Sequence, residues 1–202
     1  MLFSGIYLCI QLILWWTLRY NLLNKIIKKE NILKLANSVI ETTTDILPVV
    51  LLVVYHNPIC MVFLLMNLVA DKYMESCVPI GSLLFFINYM NISSIIRDEY
   101  GYSYNYHILA FSIMLLIVII TNIAWKADTI TKIAGTFYSS ALFALLESFF
   151  LTKNFGFVLL IIGDIFLVWK DIIKNKSNLV YTISNSFYYA GMCFAPVFLN
   201  EV

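Results

Sequence analysis

The sequence predicts an all-α polytopic membrane protein, a bundle of about eight transmembrane helices with both termini outside, and three observations carry that reading. Of its 202 residues, 61% are hydrophobic and only 12% are charged, with a mean hydropathy of +0.86. A soluble domain is nearer half apolar and a quarter charged. Apolar runs long enough to cross a bilayer, about 17 to 25 residues each, recur eight times, at about 2–19, 37–55, 59–77, 80–96, 107–125, 133–152, 155–169 and 179–199. Basic residues alternate between successive loops, as expected where cytoplasmic loops are enriched in Lys and Arg. The odd-numbered loops and the span ends beside them hold Arg19, Lys25, Lys28, Lys29, Lys34, Lys72, Lys126, Lys132, Lys170, Lys174 and Lys176, eleven of the thirteen basic residues. The other side holds Arg97 and Lys153. A miscount of one span would scramble this alternation downstream. The chain therefore reads as a single transmembrane helical domain over 1–202, a multi-pass protein of the plasma membrane.

Each span has its own signature. The first, "MLFSGIYLCIQLILWW", lacks a basic leader and a small-residue cleavage site, so it reads as a retained span rather than a secretory signal. The second, "SVIETTTDILPVVLLVVY", opens with Glu41, three threonines and Asp45 before Pro48, and reads as a kinked helix whose polar half lies against protein rather than lipid. The third and fourth spans are joined closely. The ten residues "RDEYGYSYNY" after the fourth form the largest loop on the outer side, where Tyr100, Tyr102, Tyr104 and Tyr106 suit the headgroup boundary. His107, at the outer start of the fifth span, reads as an interfacial histidine rather than a catalytic one. The sixth span carries Glu147 near its outer end, a feature separate from the inner polar groups described next.

Two aspartates lie inside otherwise apolar spans, each after a small residue: Asp71 in "FLLMNLVADKYM" and Asp164 in "FGFVLLIIGDIFLVW". Carboxylates at that depth are costly and mark function by default. With the third and seventh spans running inward at 1.5 Å per residue, both fall in the middle to inner half. The second and fourth spans run outward and bring Glu41, Asp45 and Asn88 to the inner half as well, so five polar side chains from four helices can share one inward-facing cavity. Residues four apart stack on one helix face, which sets Asn67 one turn from Asp71 and Glu41 one turn from Asp45. Tyr181, Asn185, Tyr188 and Tyr189 form a comparable polar stripe in the last span. A single intramembrane aspartate can serve only to fix helix packing; two at similar depth with polar neighbours favour a site.

Other chemistries leave no trace. A net charge of +1 and the lack of a basic helix outside the spans argue against a nucleic-acid partner. The basic run "NKIIKKENILK" reads as topology and anionic-lipid contact. There is no glycine-rich phosphate loop, GxSxG turn or HExxH pair. Cys9, Cys60, Cys77 and Cys193 show no CxxC spacing and no histidine cluster beside them, and read as buried free thiols rather than metal ligands.

Two blocks resemble the YhhN family of lysoplasmalogenase-like integral membrane proteins, and the likeness covers nearly the whole chain. "NLVADKYMESCVPIGSLLFFINYMNISSII" is similar to the family's small-residue-plus-Asp motif and the glycine-led aromatic helix after it. "FGFVLLIIGDIFLVWKDIIKNKSNLVYTISNSFYYAGMCFAPVFL" is similar to its Asp-containing seventh span, basic loop and final Tyr-Tyr-Ala-Gly helix. The resemblance implies that Asp71 and Asp164 are the catalytic pair, with Gly81 and Tyr188 at matching structural positions. The polar residues placed near them by depth and helical spacing, Asn67, Asn88, Asp45, Glu41, Tyr188 and Asn185, are then expected to line the substrate. Many members carry a histidine in the fourth span, about where this chain reads Phe86-Ile87-Asn88. Asn88 can hydrogen-bond but does not exchange a proton near neutral pH. The acids that open the second span stand where basic and proline residues are more typical of the family.

The activity so implied is hydrolysis of the vinyl ether of a lysoplasmalogen to an aldehyde and a glycerophospho-base, with no metal and no organic cofactor. One carboxyl group would protonate the alkenyl carbon; the other would stabilise the oxocarbenium-like cation and activate water, the division of labour seen in paired-carboxylate glycosidases. A single-chain lipid would enter laterally from the membrane. A non-catalytic amphiphile binder of the same family is the alternative that Asn88 raises. A proton-coupled transporter is the third, although the two chain halves share no repeated motif of the kind many transporters show. Head group, chain length and oligomeric state are not legible in the sequence.

Overall fold

A computed structural model describes residues 2–55, 57–124, 128–172 and 178–199. The described residues are all-helical and contain no strand: α1 (Leu2–Arg19), α2 (Glu30–Val54), α3 (Pro58–Ser76), α4 (Val78–Tyr100), α5 (Tyr104–Ala124), α6 (Thr129–Thr152), α7 (Phe155–Ile172) and α8 (Asn178–Leu199), with a short 3-10 turn at Leu22–Lys25. Each apolar run of the sequence thus corresponds to one helix. The largest differences are at polar flanks. Helix α2 begins at Glu30, where the exposed Glu30 and Lys34 pair across one turn at 2.7 Å, a spacing that supports a helix weakly. Helix α4 stays helical through Arg97, Asp98 and Glu99 and stops at Gly101, whose φ of 79° is accessible to glycine at little cost.

The helix starts are written in short polar residues. Asn57 caps α3 by accepting the Ile59 amide at 2.8 Å, with Pro58 in the first turn where its missing N–H costs nothing. Cys77 alone separates α3 from α4. Asn154 opens α7 by accepting the Gly156 amide at 2.7 Å, and its Nδ2 donates to the Phe194 and Ala195 carbonyls near Pro196 of α8. One side chain therefore caps α7 and ties it to the far end of its neighbour.

Packing closes seven of these helices into a ring in the order α1, α2, α3, α4, α6, α7, α8 and back to α1, with α3 also touching α8 across the middle. Helix α5 stands outside the ring and rests on α6. The tightest neighbours are α7 and α8, because glycine faces backbone at their contact: a Cβ on Gly163 would lie 2.9 Å from the Tyr188 nitrogen and 3.0 Å from the Ser184 oxygen. Gly156 likewise faces the backbone of Ala195. On α4, a Cβ on Gly81 would lie 2.6 Å from the Met74 nitrogen, so that glycine lets the start of α4 lie against the end of α3. The core is apolar and aromatic, with Phe63, Phe85, Tyr89, Leu145, Phe157 and Leu160 buried.

The outer surface is also apolar. Ile10, Ile13 and Trp16 of α1, Phe111, Leu116, Ile120 and Ile123 of α5, and Ile130, Ile133 and Phe137 of α6 are all exposed. Exposed apolar area on this scale marks an interaction surface rather than ordinary solvent contact. Helix α4, over Val78–Tyr100, and α6, over Lys132–Thr152, are long and apolar enough to cross a membrane.

Candidate functional site

The contact between α3 and α8 divides the ring and leaves α3, α4, α6, α7 and α8 as a five-helix compartment. Each of these helices contributes to one polar cluster: Asp71 from α3, Tyr89 from α4, Tyr138 from α6, Asp164 from α7 and Tyr188 from α8. Asp71 and Asp164 lie close enough to act on one another's charge, and both act on Tyr89 and Tyr188. The two aspartates picked out by the sequence are therefore neighbours in space, although ninety-three positions apart in the chain.

Their surroundings differ. Asp164 is 3% exposed, and Tyr138 donates a hydrogen bond to its carboxylate. Its Oδ2 is buried and has no hydrogen-bond partner among the described residues, and the buried Tyr188 hydroxyl is in the same condition. A polar atom left so costs about 1–3 kcal/mol, and native interiors rarely leave one without a reason. Asp71 is exposed. The pair thus joins a sequestered carboxyl group with one free oxygen to a carboxyl group open at the edge of the bundle. That asymmetry is what two carboxylates need if they are to play different parts in one reaction.

The wall behind the pair is stiff. Asn67, fully buried, accepts from the Tyr89 hydroxyl at 2.8 Å and donates to the Phe63 carbonyl at 2.8 Å; Asn88 donates to the same carbonyl at 3.0 Å. The bonds from Asn88 and Tyr89 lock α4 against α3 beside Asp71, while that from Asn67 to Phe63 stays within α3. Phe85 packs on both Tyr89 and Tyr138, each with ring centroids 5.5 Å apart. Ser184 donates to the Gly163 carbonyl at 2.7 Å, fixing the backbone next to Asp164. Asn88, expected to line the substrate, has its amide engaged as a structural clamp.

The remaining expected residues are placed differently. Asn185 is half-buried on α8. Glu41 is exposed on α2, a helix outside the five-helix compartment, so the structure does not bring it to the aspartates. Asp45 lies within α2, and its side chain falls outside the described residues, as does that of Tyr181 on α8. All four cysteines are free; Cys60 and Cys193 are buried, Cys77 is half-buried and Cys9 is exposed, so only two of them are the buried thiols the sequence implies. No three His, Cys, Asp or Glu side chains converge on a metal position among the described residues.

Sequence reasoning overlooks Tyr89 and Tyr138, the two hydroxyls that hold Asn67 and Asp164. A lone tyrosine in an apolar span resembles an ordinary core aromatic. The available signal was the helical spacing of Phe85 and Tyr89, four apart beside Asn88, and it points to a face without naming its partner. Compared with models of protein families, with curated proteins and with solved structures, the chain matches none. The YhhN resemblance accordingly rests on the two sequence blocks alone.

Proposed function

We propose that this protein is an eight-span membrane protein, both termini outside, that hydrolyses the vinyl ether of a lysoplasmalogen-like lipid with Asp71 and Asp164. The observation that carries the proposal is the pairing of two intramembrane carboxyl groups, one sequestered with a free oxygen and one accessible. The membrane assignment is supported by eight helices of 18 to 25 residues and by the apolar side chains exposed on α1, α5 and α6. At 1.5 Å per residue each reaches roughly 27 Å or more, near the thickness of a bilayer core.

Acid-catalysed cleavage begins with transfer of a carboxyl proton to the alkenyl carbon of the ether. The resulting oxocarbenium-like cation is stabilised by the second, ionised carboxylate, which also draws a proton from the attacking water. The hemiacetal formed then collapses to aldehyde and glycerophospho-base. Tyr138 holds one oxygen of Asp164 and so orients the other, and Tyr188 offers a hydroxyl beside it.

A second reading, a non-catalytic amphiphile binder, is favoured by one observation: Asn88 is bonded to the Phe63 carbonyl and supplies no proton-exchanging group in α4. Purified, detergent-solubilised protein separates the two. The hydrolase reading expects aldehyde from lysoplasmalogen with the wild type and none with folded D71N or D164N. Binding of the lipid with no aldehyde from the wild type selects the binder.

A further inference from the structure

A second polar centre lies away from the aspartates, where the C-terminal ends of α4 and α6 meet the N-terminal end of α5. Glu147 of α6 is 1% exposed, yet both carboxylate oxygens are engaged. Oε1 lies 3.0 Å from His107 Nδ1 of α5; Oε2 accepts from Ser93 Oγ of α4 at 3.1 Å, and the Arg97 guanidinium is 4.0 Å away. Buried carboxylates are held in place by hydrogen bonds and opposite charge. The order of groups excludes a nucleophilic triad, because Glu147 stands between Ser93 and His107 and the imidazole cannot take the serine proton.

The position in the fold shows what the centre can do. Helix α5 lies outside the ring and rests on α6, so most of its attachment is apolar packing such as Phe111 against Phe143. His107 provides a polar tie at its first turn, through one carboxylate that α4 holds from the other side. The imidazole is braced edge-on by Phe143 at 5.1 Å and faced by Tyr102 at 5.4 Å.

We propose that Glu147 and His107 form a proton-dependent clasp that fixes the N-terminal end of α5 to the α4 and α6 pair, tight with imidazolium and loose with neutral imidazole. The inference is independent of the hydrolase reading. Histidine is the side chain whose charge ordinarily changes between pH 5 and 8, and a hydrogen bond between two charged partners is roughly twice as strong as a neutral one. Other charged and titratable groups surround the pair. Arg97 donates to the Ser93 carbonyl. Tyr102, just before α5, packs on the imidazole, and Tyr106 precedes it in the chain and stacks on Phe150. Lys153, in the turn between α6 and α7, sits over the Tyr106 ring at 4.5 Å and donates to the Phe150 carbonyl. Asp98 and Glu99 are exposed at the end of α4.

Hydrogen exchange on the full chain in detergent, read as protection factors corrected for the intrinsic pH dependence, tests this. The wild type should lose about tenfold protection over residues 104–111 between pH 5 and 8, while H107Q and E147Q should show low protection that does not vary with pH. No change in the wild type, or the same pH dependence retained in H107Q, overturns the clasp. His56 is the other histidine of the chain, so H56Q leaves one imidazole to follow by NMR even if the clasp variants fail to fold. The ring titration and the loss of α5 protection should share one midpoint; separate midpoints overturn the proposal.

Discussion

Alanine at Gly163 should damage the aspartate site from one residue away. The added Cβ would lie 2.9 Å from the Tyr188 nitrogen and 3.0 Å from the Ser184 oxygen. Both are backbone atoms and cannot swing aside as a side-chain tip would. Restoring an ordinary contact of about 3.4 Å or more requires α8 to move roughly 0.5 Å from α7, an overpacking cost of about 1–3 kcal/mol. The same displacement strains the 2.7 Å bond from Ser184 to the Gly163 carbonyl and shifts Asp164 relative to Tyr188. Gly101→Ala provides the control. Its site is open, with nothing within 4 Å of the added carbon, but its φ of 79° and ψ of 159° are strained for any side chain, at about 1–3 kcal/mol. Thermal unfolding and aldehyde release, measured on both, should show comparable losses of Tm with activity reduced at least tenfold only in G163A. Equal activity in the two variants, or an unchanged Tm in G163A, would refute the reasoning.

Three further substitutions or probes follow from the packing. Tyr138→Phe removes the hydroxyl that Asp164 accepts from, and since hydrogen bonds to charged groups contribute about 1.5–3 kcal/mol, kcat should fall about 10- to 150-fold with KM little changed in steady-state assays. Asn154→Ala strips the cap of α7 and two bonds to the end of α8, so chemical or thermal unfolding should show a loss of about 0.5–2 kcal/mol or somewhat more, without a specific effect on catalysis. A small maleimide applied in detergent should label Cys9 readily and leave Cys60 and Cys193 unmodified until the protein is denatured, as mass spectrometry of peptides would show. Labelling of Cys193 in the folded protein would contradict its burial in the bundle.

Helix positions were legible because apolar run length and basic-loop alternation are local signals. Each of the eight runs became a helix, and the largest boundary shifts came where polar or charged residues continued a helix beyond its apolar part, as at Glu30–Lys34 and Arg97–Glu99. The aspartate pair was legible for a related reason: an isolated carboxylate in an apolar span stands out whatever the tertiary arrangement. What the sequence could not show was which helices would be neighbours. Glu41 shares its depth with Asp71 by arithmetic but sits on α2, outside the compartment bounded by α3, α4, α6, α7 and α8. Tyr138 holds Asp164 only because α6 packs between α4 and α7, a consequence of ring closure that no local pattern encodes. His107 and Glu147 likewise read as separate features, and only the docking of α5 on α6 joins them at 3.0 Å.

The central claim is that a carboxyl group of the pair protonates carbon. It is tested most directly by running the wild type on lysoplasmalogen in D2O and analysing the aldehyde by mass spectrometry. The account predicts aldehyde with one solvent deuterium on the carbon next to the carbonyl, formed at a rate that D71N and D164N abolish. Aldehyde lacking that deuterium, or no aldehyde from folded wild type, would contradict it.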